Sequence, residues 1–170
     1  LFHAPDRTPY ARVGTAVFAV ESADYREVLA GEYFRVTSKG ANRNSLGDAI
    51  TTLASIAKFE GCERSVYLRT ADAGDTVVLD TGLKDRRVIE VDAAGWRWRG
   101  PDGKLPMFRR TSAMQSLPEP KEPDFARLWQ YVNVAMDHRP LVAGFLLAAL
   151  RPVGPFPILF LSGEQGTGKS

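Results

Sequence analysis

A single cysteine, Cys62, stands among 170 residues, and that scarcity excludes an internal disulfide and any cysteine-rich zinc site. A reducing, cytoplasmic compartment is the expectation that follows. Histidine is nearly as scarce: His3 and His138 lie far apart, without acidic or cysteine companions at ligand spacing, so neither reads as a metal ligand. Charge of one sign is also missing. A formal net charge of +2 is too small to mark a nucleic-acid protein by itself, although local clusters still matter. The chain also lacks a clean spanning run. "LVAGFLLAALRPVGPFPILFL" has the length of a membrane helix, about 20 residues, but Arg151, Pro152, Pro155 and Pro157 interrupt it. No membrane partner is expected. What remains is ordinary for a folded domain: 44% hydrophobic and 25% charged residues, enough for a real core.

"TPYARVGTAVFAV" is rich in β-branched and aromatic residues and reads as one or two strands, with Gly14 placed to bend it. Tyr25, Val28, Leu29, Tyr33 and Val36 then recur at helical spacing behind Ser22, a candidate N-cap. Leu46, Ile50, Leu53, Ala54, Ala57 and Phe59 form a second apolar stripe, and Ser45 with Asp48 resembles a capping box, which predicts a helix over about 45–60. From Ser65 the period changes to two. "SVYLRT", "TVVLD", "RRVIEV" and "WRWRG" are short alternating runs between turn signals and predict a β-meander, with "MFRR" as one further strand.

"SLPEPKEP" follows, where three prolines oppose helix and ladder alike, so an extended connector is expected. Beyond it Asp124 can cap a helix carrying Phe125, Leu128, Trp129 and Val132. Pro140 suits the first turn of another, "PLVAGFLLAAL", apolar almost all round and therefore expected to be buried. The run Ile158–Leu161 reads as a central parallel strand. The expected fold is α+β. It comprises an N-terminal domain with two helices and an antiparallel meander over 1–116, and a proline-rich linker over 117–123. The opening helices, strand and phosphate loop of an α/β P-loop ATPase domain fill 124–170.

The last of these rests on "LFLSGEQGTGKS". A glycine, four free positions, then glycine, lysine and serine are met by Gly163, Gly168, Lys169 and Ser170. Glycines let the backbone curl so that successive N–H groups point at phosphate oxygens. A lysine then reaches the β and γ phosphates, and a serine hydroxyl ligates Mg²⁺. The candidate ATP-binding residues are Gly163, Gly166, Thr167, Gly168, Lys169 and Ser170, with Ser170 also the magnesium ligand. The helix that normally follows such a serine is expected downstream, together with a second acidic metal ligand and an arginine finger. The sequence therefore reads as a window from a longer protein, one that would not itself turn over ATP.

"LFHAPDRTPYARV", "VIEVDAAGWRWRG", "FRRTSAMQSLPEP" and above all "LLAALRPVGPFPILFLSGEQGTGKS" together resemble ATP-binding proteins of phages, prophages and plasmids, described as helicases or primase-helicases. The resemblance implies a replication-type motor of a mobile element. It would use ATP and Mg²⁺, with DNA as its track and a homo-oligomeric ring as one assembly open to it.

Two other patterns compete for attention. Lys84, Arg86, Arg87, Arg97, Arg99, Lys104, Arg109 and Arg110 are interleaved with Trp96, Trp98 and Phe108. Arg97, Arg99, Arg109 and Arg110 are thus candidates for nucleic-acid contact, with aromatics stacking on bases. The plainer and favoured reading puts Trp96 and Trp98 on one buried sheet face, and Arg97 and Arg99 on the solvated opposite face. "VVLDTG" resembles the aspartate loop of retroviral-type aspartic proteases, with Asp80 as one member of a dyad. The flanking "LKD" and the lack of a later apolar-apolar-glycine element favour a turn after a strand instead. A third role for 1–116 is an accessory interaction module without catalysis of its own.

Overall fold

The computed structural model describes residues 1–102, 104–121 and 124–162. It is mixed α and β, and the chain divides into two compact units, Leu1–Ser116 and Leu117–Ser170. The first unit opens with β1 (Phe2–His3), β2 (Pro9–Val13) and β3 (Ala16–Ala19), then α1 (Ala23–Thr37) and α2 (Arg43–Phe59). Seven short strands follow: β4 (Cys62–Glu63), β5 (Val66–Tyr67), β6 (Thr70–Asp72), β7 (Val77–Asp80), β8 (Val88–Asp92), β9 (Gly95–Arg99) and β10 (Met107–Phe108).

Local chemistry accounts for most of the boundaries. Gly14 adopts φ 59°, which closes β2 and β3 into a hairpin that a side-chain-bearing residue would strain. The Ser22 hydroxyl accepts from the Tyr25 amide at 3.2 Å and starts α1 where the sequence places its cap. The second helix starts earlier than expected. Asn42 Oδ1, not Ser45, accepts from the first-turn amides of Asn44 and Ser45, so the capping box is superseded by a short polar side chain one turn upstream.

The first sheet has the order β3-β2-β1-β4, antiparallel except where β1 runs parallel to β4. Both helices cover one of its faces, where Ala11 and Val20 meet Tyr25, Ile50 and Ala54. Phe2, Tyr10 and Val17 on the other face pack with Val66 and Met107. Each such large apolar side chain contributes roughly 1.5–3 kcal/mol when fully buried. The stretch "SVYLRT" is not one strand but two. Its β5 half pairs in parallel with β10, while β6 opens the all-antiparallel meander β6-β7-β8-β9.

The second unit departs further from expectation. Asp124 accepts from the Ala126 amide as a cap, yet Phe125–Gln130 is a 3-10 segment rather than an α-helix. None of its residues is buried, and a helix this short without a buried face is marginal. Pro140 does sit in the first turn of α3 (Arg139–Ala149), but that helix buries only Val142 and exposes Leu141 and Leu147. The strand expected at Ile158–Leu161 is also absent: it joins no ladder among the described residues, and Ile158 is 94% exposed. The unit's described residues contain no other strand, and strand geometry persists only where a neighbour takes up its N–H and C=O groups. No helix among the described residues is long and apolar enough to cross a membrane.

Candidate functional site

The glycine loop, with Gly163, Gly166, Thr167, Gly168, Lys169 and Ser170, lies outside the described residues. The remaining candidates all fall in the meander and the segment after β10.

Register decides what the meander can do. Cross-strand neighbours share a face, and Val88 opposes Arg99 while Glu90 opposes Arg97 and Val78. Ala71, Val78, Asp80, Val88, Glu90, Arg97 and Arg99 therefore occupy one face, and this is the face packed against Phe108. Trp96, Trp98 and Val91 occupy the other. Trp96 is 45% exposed and its cross-strand neighbour Val91 42%. Tryptophans and arginines do lie on opposite faces as expected, but the tryptophan face is not the buried one: Ala71, Val78 and Val88 form the closely packed layer on the arginine side, while Ile89 is the buried residue beside Trp98. Trp98 is half-buried, with the Arg87 guanidinium 4.5 Å from its ring centroid.

The arginines on the packed side are committed to carboxylates. Glu90, only 6% exposed, receives both Arg97 and Arg99. Arg97 also bonds Asp92, and Arg99 bonds Asp102 at 2.7 Å. The hydrogen bond from Arg97 holds the Asp92 carboxyl below its usual pKa, and Arg99 does the same to Asp102. In return Asp92 raises the Arg97 pKa, while Glu90 raises that of Arg99. Two guanidinium and three carboxylate groups so arranged form a closed charge network rather than an open phosphate-binding stripe. The counter-ions were legible in principle: "VIEVD" alternates so that Glu90 and Asp92 face one side, and a tight turn through "DAAG" returns the arginines opposite them.

Arg110 is still more deeply engaged. It forks onto Asp80, Nε to Oδ2 at 2.8 Å and Nη2 to Oδ1 at 2.5 Å, and its Nη1 donates to the Leu83 carbonyl. Asp80 Oδ1 further accepts from the Gly82 amide, and the Thr81 hydroxyl donates to the Arg87 carbonyl at 2.6 Å. Gly82 at φ 73° completes the turn. The aspartate-threonine-glycine triplet is accordingly accounted for as a strand end and buttressed turn, with a guanidinium, not a second carboxylate, on Asp80. Arg109 is half-buried, continues β10 by a bridge to Val17, and donates its backbone N–H to the Tyr67 carbonyl. The structure therefore brings Arg97 and Arg99 together on Glu90, places Arg110 on Asp80, and gives Arg109 backbone contacts to Val17 and Tyr67.

Among the described residues no group of three or more His, Cys, Asp or Glu side chains is placed to hold a metal. Compared with family models, with curated proteins and with solved structures, the chain has no match.

Proposed function

We propose that this chain carries the nucleotide-binding start of a P-loop ATPase of a mobile genetic element, one that drives a DNA helicase or primase-helicase. The supporting observation is the glycine loop in the sequence, Gly163 to Ser170, preceded by the apolar run Ile158–Leu161. The donor set fits the ligand: loop amides for phosphate oxygens, the Lys169 ammonium for the β and γ phosphates, and the Ser170 hydroxyl for Mg²⁺. Bound ATP supplies the phosphoryl bond whose cleavage powers such a motor. The chain's own residues bind and orient that group. The test is ATP affinity in the longest form the gene encodes. Lys169→Ala is expected to weaken ATP binding at least tenfold, and undiminished affinity overturns the reading.

A second reading, single-stranded nucleic-acid binding by residues 1–116, is favoured by the tryptophan face. Exposed Trp96 beside Val91, and Arg87 on Trp98, are the kind of aromatic and cationic surface on which bases stack. Trp96→Ala is expected to abolish a salt-sensitive affinity for a single strand. Arg97→Gln is not, because Arg97 is occupied by Glu90 and Asp92. Equal loss in both variants, or no binding by the parent chain, removes this reading.

A further inference from the structure

A small cavity lies between the two four-stranded sheets of the first unit, on the side of the meander away from Trp96 and Trp98. Its volume is about 60 Å³, room for roughly four waters or one tetrahedral oxyanion, but not for a whole nucleotide. Arg12, Arg86 and Arg110 line it, with Asp80 and Asp102, and Arg12 is otherwise exposed.

The charges do not balance. Asp80 is taken by Arg110 and Asp102 by Arg99. Arg12 and Arg86 make only hydrogen bonds to backbone carbonyls, those of Gly14 at 2.9 Å and Thr15 at 3.0 Å, and neither has a carboxylate partner among the described residues. Arg86 is half-buried, and its pKa is lowered by that burial and then by the neighbouring Arg110 cation, against a smaller upward pull from the Asp80 carboxylate. Its backbone stands at φ 57°, left-handed and unfavourable for a residue with a long side chain. Non-glycine residues persist there where surrounding contacts or function over-determine them. The contact from Arg86 to Thr15 spans 71 positions, from the turn after β7 to the turn before β3, and ties the guanidinium to the neighbouring sheet. Apart from Thr15, the rest of the wall is apolar, including Val17, Val88 and Phe108, and apolar walls strengthen a charge interaction beside them.

We propose that this cavity binds a phosphate group, either as the free ion or as the monoester of a small metabolite. Arg86 and Arg12 are its principal ligands and Arg110 is a third, fixed donor. A planar carboxylate offers two oxygens along one edge. A tetrahedral phosphate offers oxygens to donors arriving from three separate segments, here β2, the turn after β7 and the residue two beyond β10. This site is distinct from the glycine loop and does not depend on the ATPase reading.

The test is calorimetric titration of the whole chain carrying Lys169→Ala, which takes the loop ammonium out of the measurement and so separates this site from ATP binding. Inorganic phosphate, a small monophosphate ester (glycerol 3-phosphate) and acetate are the probes. Saturable, salt-sensitive phosphate binding is expected. Tighter binding of the monophosphate identifies an ester as the source, and equal or weaker binding identifies the free ion. Arg86→Asn and Arg12→Gln should each weaken binding tenfold or more. Arg86→Asn should also leave the melting temperature unchanged or higher, since asparagine tolerates φ 57° and the repulsion from Arg110 is gone. The proposal is overturned by no saturation at about 10 mM phosphate, by affinity unaltered in both variants, or by acetate binding as tightly as phosphate.

Discussion

Arg110 and Asp80 stand 30 residues apart in sequence and meet in a two-pronged ion pair whose carboxylate is 1% exposed. Arg69 donates to the Asp80 carbonyl at 3.2 Å from another strand connection, so the pair fixes the end of β7 from two directions. Removing one partner leaves an uncompensated buried charge, which typically costs about 3–5 kcal/mol. Arg110→Ala is expected to lose stability on that scale in urea unfolding. Asp80→Asn, which keeps shape and loses charge, should also destabilise the fold. Unchanged midpoints in both would mean that the pair is open to solvent.

The Glu90 network makes a prediction about acid. Asp92 and Asp102 have folded-state pKa values below their ordinary ones because Arg97 and Arg99 bond them. A depressed carboxyl pKa adds stability that is fully present above the unfolded value, about 3.9. It is lost as pH falls through the lower folded value. Arg97→Gln and Arg99→Gln remove the cause, so their acid unfolding should begin at higher pH than in the parent. Circular dichroism from pH 7 to pH 2 reads this directly. Superimposable acid transitions would show that the network adds nothing to the folded state.

Two glycines separate backbone freedom from close packing. A Cβ on Gly61 would lie 2.3 Å from the Ala57 carbonyl oxygen and 2.9 Å from the Phe2 Cα, both backbone atoms that cannot swing aside. Gly61→Ala should therefore destabilise by about 1–3 kcal/mol or more, as overpacking does. Gly31 lies inside α1 with nothing within 4 Å of its added Cβ, so Gly31→Ala should stabilise by about 0.5–1 kcal/mol. The opposite signs are the check, measured by thermal melts of the two variants side by side.

How much of this was readable beforehand depends on which physical signal an element leaves. The helices showed because Ile50, Ala54 and Ala57 repeat over several turns, and Ser22 announces its cap. The meander showed because its strands alternate between recognisable turns. β1 and β4 did not, since two residues cannot display a period. The two faces of β9 were assigned correctly, but the expectation that the tryptophan side is the buried one failed because alternation says which residues share a side, not which side meets the core. That is settled by Phe108, which arrives from outside the meander. The Arg12 and Arg86 cavity left no signal, because neither a left-handed residue at Arg86 nor its reach to Thr15 is written in the local pattern.

The run at Ile158–Leu161 carries the sharpest contrast between contexts. Ile158 and Phe160 are 94% and 85% exposed, and large apolar side chains left uncovered together mark a surface meant to be covered. The ATPase reading supplies the cover: neighbouring strands of a parallel sheet, with this run leading into the glycine loop. In the 170-residue chain Phe160→Ala should then leave the urea midpoint unchanged while lowering the binding of a dye that reports exposed apolar surface. In the longest form the gene encodes, the same substitution should cost about 3–5 kcal/mol, the range for an aromatic side chain truncated in a core, and should weaken ATP binding with it. The same small effect in both forms would leave the run outside any sheet and remove the structural half of the proposed nucleotide site.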